Sequence, residues 1–79
     1  MKSVQYVEEK ELAVVAKKFR MAAGKTKAPV AKEMGIRPPS VHHAEESPHL
    51  PYTKLRRRMI EAYSDFKVTG PLFKLESKR

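Results

Sequence analysis

The sequence predicts an all-α fold class: a small domain of four to five helices, with room for a short β segment in the C-terminal tail. Three observations predict it. Apolar residues recur at helical spacing over residues 8–23 and 52–64. Two shorter helical stretches, about 27–34 and 39–46, flank a glycine at position 35. Beyond residue 65 the chain stays apolar but loses helical period.

Residues 1–7, MKSVQYV, are β-tolerant and suit a strand or a loose arm. Over 8–23, Leu12, Val15, Ala16 and Phe19 share one helix face, and Gly24 ends the helix. Thr26 suits the N-cap of the next helix, where its hydroxyl can accept a free amide hydrogen, and Pro29 falls in the first turn, where a missing N–H is tolerated. Gly35 falls where a left-handed backbone closes that helix. Pro39 suits the first position of the third helix, and Pro38 before it is pushed toward an extended conformation. SPHLP at 47–51 is a proline-bounded loop, and the fourth helix puts Leu55, Met59, Ile60 and Tyr63 on one face. Gly70-Pro71 interrupts the tail, in which Val68-Thr69 and Leu72-Phe73-Lys74-Leu75 favour extended structure. The chain thus divides into an arm or strand over 1–7, a helical domain over 8–65 and an apolar tail over 66–79.

Residues 26–46, TKAPVAKEMGIRPPSVHHAEE, carry most of the functional information. Val30, Met34, Ile36, Val41 and Ala44 are spaced to share a core between two short helices at a steep angle, with Ala31 at their closest approach. That is the spacing of a DNA-binding helix-turn-helix, whose second helix lies in the major groove. On it, Arg37 can donate two parallel bonds to guanine, Ser40 can bond a base or a phosphate, and Pro39 can offer apolar surface to a thymine methyl. His42 and His43 can each donate to a base or phosphate acceptor. These five are the expected base-reading residues.

Residues 20–63 resemble the Cro and lambda-repressor class of helix-turn-helix proteins, the xenobiotic-response-element-type family. The resemblance is carried by Val30-Ala31, Met34-Gly35-Ile36, Ser40-Val41 and Ala44-Glu45, followed by Pro48 and the apolar positions of a further helix. It implies a lambda-repressor-like fold and a transcriptional regulator, a repressor or autoregulator, that binds double-stranded DNA. It also implies that Glu45 packs back toward the protein. Thr26 and Lys27 at the start of the motif, and Lys54, Arg56 and Arg57 on the fourth helix, are then the expected phosphate contacts.

Charge agrees with a polyanionic partner: the 79 residues carry a net +8. Five basic and three acidic residues lie in 1–24, four and three in 25–49, eight and three in 50–79, so most of the excess lies outside the motif. Without cysteine there is no disulfide framework and no thiolate site. Adjacent helical histidines point about 100° apart, so His42 and His43 do not converge on a metal, and no cofactor is expected. No nucleophile–base pairing or glycine-rich phosphate loop argues for an enzyme. No apolar run spans a bilayer and no signal-peptide pattern is present, so a cytoplasmic protein without a membrane partner is expected.

The tail adds a partner question. Phe66, Val68, Leu72, Phe73 and Leu75 exceed what so small a core is expected to hold, and an apolar patch at a chain end marks an interface. They predict a homodimer, pairing the tail with itself or with residues 1–7. The alternative is an antitoxin or other protein-interaction module that holds a cognate toxin on the tail.

Overall fold

The computed structural model describes residues 4–69 and 73–78. Its elements, in chain order, are β1 (Val4–Val7), α1 (Glu9–Ala22), α2 (Lys27–Met34), α3 (Pro38–Glu46), α4 (Thr53–Tyr63), β2 (Phe66–Thr69) and β3 (Phe73–Ser77). The described residues form a small, mostly helical domain of four helices in which α2 and α3 form the helix-turn-helix pair expected from the sequence. The β segment expected of the tail is present, and it extends into a three-stranded sheet of order β1-β3-β2.

Each helix follows from its pattern. α1 buries Leu12, Ala13 and Ala16, and packs on α4, which buries Leu55, Met59 and Ile60. α2 buries Val30 and Ala31, and α3 buries Val41 and Ala44. Gly35 closes α2 at φ +69°, and the amides of Gly35 and Ile36 donate back to the carbonyls of Lys32 and Ala31 at 3.2 and 2.9 Å. This is the Schellman arrangement, which needs the left-handed residue that glycine supplies at little cost. Thr26 does occupy the N-cap of α2, but its hydroxyl makes no capping bond. Pro38, not Pro39, is the first residue of α3, with Arg37 as its N-cap.

The tail corrects the expectation that its apolar residues lie beyond the core. β3 is the central strand and pairs antiparallel with both neighbours, Leu75 lying opposite Gln5 on one side and Val68 on the other. Val68 and Leu75 are 1% and 0% exposed and belong to the same cluster as Leu12, Met59 and Ile60. Neither side chain is available to a second protein. Phe66 is half-buried against the cluster, with its ring centroid 5.8 Å from that of Phe19. Leu72 lies outside the described residues, and so does the Phe73 side chain. Val7, Phe66, Val68 and Leu75 put apolar side chains against the helices, a surface that the strands alone could not bury.

Ala31 is 1% exposed in the cluster with Val41 and Ala44 of α3. Ala31→Leu should destabilise the domain by about 1–3 kcal/mol through overpacking. An unchanged urea midpoint would count against tight packing of the two helices.

Candidate nucleic-acid interface

α3 has two unlike faces. Val41, Ala44 and Glu45 point inward, while Pro38, Pro39, His42 and Glu46 are on the outside, as is Arg37 just before the helix. Ser40 and His43 are half-buried between the two faces. Two arginines fix the inner face. Arg20 of α1 donates from Nε and Nη2 to the two carboxylate oxygens of Glu45 at 2.5 and 2.9 Å, and from Nη1 to the Lys25 carbonyl at 2.7 Å. The pair is buried, at 7% and 4% exposure, and the bond to Glu45 raises the Arg20 guanidinium above its ordinary pKa. Glu45 thus turns back toward the protein, as expected, and α1 is tied to the inner face of α3.

Arg56 overturns its expected role as a phosphate contact. It is 0% exposed, and donates from Nε to the Ala44 carbonyl at 2.7 Å and from Nη2 to the Ser47 carbonyl at 2.8 Å. It therefore satisfies carbonyls at the C-terminal end of α3, which the helix itself leaves without donors, and its cation suits that end of the dipole. Burial pushes its guanidinium below the ordinary value, partly offset by Glu9. Among the described residues its Nη1 has no partner.

The outer face carries its own contacts. Lys27, at the start of α2, donates to His42 Nδ1 at 2.9 Å. That bond leaves the proton of a neutral His42 ring on Nε2. Lys17 of α1 pairs with Glu46 at 2.7 Å, and the Glu46 carboxyl is held below the usual carboxylate range by that bond first. His43 turns aside to stack on Tyr52, centroids 6.1 Å apart at 21°. The His42 and His43 rings meet edge-on at 5.8 Å, and among the described residues no three ligating side chains gather around a metal position. The structure thus brings Lys27, Arg37, Pro39, His42 and Glu46 to one surface on α2 and α3, with Ser40 partly in it and His43 at its margin.

α4 divides the remaining basic residues. Lys54, Arg57, Arg58 and Glu61 line an open groove of about 490 Å³, with Lys54 exposed in it. Arg58 also donates to the Met34 carbonyl at the end of α2 at 3.1 Å, which ties this groove to the turn before α3. Arg57 is half-buried and bonds the Val68 carbonyl at 3.0 Å, so it braces α4 against β2 rather than standing free for a phosphate. The roles of Arg20 and Arg58 are not among those expected from the sequence. Arg20 carries a readable signal: it stands four residues after Ala16 and eight after Leu12, in line with the buried face of α1.

A second polar tie steadies α2. The Tyr63 hydroxyl donates to Glu33 Oε1 at 2.5 Å, and Lys25 pairs with Glu33 Oε2 at 3.0 Å. Burial, then the Glu33 bond, pushes the Tyr63 phenol up to about 12. The Glu33 carboxyl is lowered by the Tyr63 bond first and the Lys25 bond second. The phenol's contribution to stability is full below its ordinary value of 10.0 and is lost as pH rises to about 12. The Glu33 contribution is present above the ordinary carboxylate range and is lost as pH falls through its lowered value. In urea unfolding the parent should lose extra stability between pH 10 and 12 and Tyr63→Phe should not; parallel curves would mean that the bond does not distinguish the folded phenol.

No helix among the described residues is long and apolar enough to cross a membrane. No family model, curated protein or solved structure matches this chain.

Proposed function

We propose that this chain is a transcriptional regulator, a repressor or autoregulator, that binds double-stranded DNA sequence-specifically with α3 in the major groove and acts as a homodimer. The observation that carries the reading is the division of α3. Its inner face is fixed by Arg20–Glu45 and Arg56, while its outer side presents Arg37, Pro39 and His42. A nine-residue helix held this firmly from behind offers a rigid edge for reading bases. The net +8 and the groove side chains Lys54 and Arg58 supply the phosphate attraction. The homodimer follows from information content, because one such helix reads only a few base pairs and a two-fold pair reads two half-sites. The tail gives the partner-capture alternative less support, since Val68 and Leu75 are taken up by the domain's own core.

Selection from a random duplex pool tests this. The enriched sequences should carry two inverted half-sites about one helical turn apart, centre to centre (~34 Å). A pool with no enrichment, and no retention of any duplex at low salt, would reject DNA as the partner.

A further inference from the structure

We infer that the outer edge of β1 is the surface on which a second copy of this chain docks, β1 against β1 in antiparallel register. The inference takes the identity of its occupant from the homodimer reading above, and adds which surface is used.

The sheet has two edges, and they differ. On the β2 edge, the Val68 N–H donates to Glu61 Oε2 at 3.1 Å, and the Val68 carbonyl accepts from Arg57 Nη2 at 3.0 Å. The Phe66 N–H donates to Ser64 Oγ at 3.1 Å. Three of the four groups that Phe66 and Val68 turn outward are therefore engaged by α4 and by the turn before the strand. Backbone polar groups alternate in direction along an antiparallel pair. Because Val68 turns its groups away from β3, Leu75 opposite it must turn its own toward β1, where it faces Gln5. Gln5 then bonds inward, and Val4 and Tyr6 turn their N–H and carbonyl groups outward. Among the described residues nothing outside the sheet bonds to them.

Proteins blunt sheet edges with charge or cover them. β2 carries Lys67 and is covered, whereas β1 reads Val-Gln-Tyr-Val with no charge. Tyr6 is 70% exposed, the highest among the large hydrophobic residues described. The outward groups stand two residues apart, so an antiparallel copy set with Val4 opposite Tyr6 satisfies its own partner, with about four backbone hydrogen bonds. Such a contact is self-complementary about a two-fold axis. It also brings no charged strand residue against its like, which matters for two chains of net +8 each. The sheet then runs without a break through both copies.

The test is sedimentation equilibrium without DNA, so that its outcome is independent of what the chain binds. Proline is tolerated where the missing N–H would have faced outward, so Tyr6→Pro should keep the inner ladder. The parent should run at twice its 9.1 kDa chain mass, and Tyr6→Pro as a monomer with an unchanged circular dichroism spectrum. A parent that stays monomeric across micromolar concentrations, or a folded Tyr6→Pro that stays dimeric, overturns the inference. If Tyr6→Pro does not fold, amide exchange in the parent decides. The Tyr6 N–H should exchange several-fold more slowly as concentration rises, and exchange independent of concentration overturns the inference.

Discussion

Arg20→Ala should lower the unfolding free energy by about 3–5 kcal/mol, because it leaves the Glu45 carboxylate buried without its cation. A domain of this size has roughly 4–12 kcal/mol in all, so the variant should lose a large share of its stability. Glu45→Ala should cost a similar amount, with Arg20 then unpaired. Replacing both, as Arg20→Met with Glu45→Leu, should recover most of the loss, since a buried ion pair exchanged for apolar side chains of similar volume is often neutral or better. Urea unfolding of the three variants measures this. If either single replacement cost under about 1 kcal/mol, the pair would be behaving as a surface contact, and α3 would lack its anchor to α1.

Lys27→Ala and Lys54→Ala should each weaken binding to every duplex by a similar factor. Each should also reduce the slope of log affinity against log salt by about 1, the share of one phosphate that is no longer neutralised. Both cations are on the surface or half-buried, and neither is tied to a carboxylate among the described residues. Arg56 is the counter-case: buried beneath α3, its replacement should lower stability without changing the salt slope of the protein that remains folded. A salt slope that fell with Arg56→Ala and stayed constant with Lys54→Ala would invert the assignment.

Much of the fold is legible from spacing alone. The apolar positions of α1 and α4 recur at helical period, and Gly35 falls where α2 must end. The outer face of α3 is legible too, because Val41, Ala44 and Glu45 leave Arg37, Pro39 and His42 on the opposite side. Arg56 misleads because a Lys-Leu-Arg-Arg-Arg run reads as solvated charge. Its place four residues before Ile60, on the buried stripe, is the signal that it turns inward. The tail is extended, as its lack of helical period implies, but periodicity does not encode a strand's partner. Residues 4–7 and 73–76 pair across almost the whole chain, and no local pattern distinguishes that from pairing with a second molecule. The arginine ties to carbonyls, from Arg20, Arg56 and Arg58, depend on where helix ends meet in space, which the linear sequence does not fix.

Arg37→Ala is the sharpest probe of whether the outer face of α3 reads bases. Affinity of the parent and the variant should be measured at one fixed salt concentration, on the selected duplex and on a random one. Arg37 is the N-cap of α3 and makes no side-chain capping bond, so its loss should leave the melting curve intact. The preference for the selected duplex should fall by about 1–3 kcal/mol, the discrimination carried by one bidentate contact to guanine, while affinity for random DNA changes little. Equal weakening on both duplexes, with the preference unchanged, would contradict base reading by this face and reduce Arg37 to one more phosphate contact.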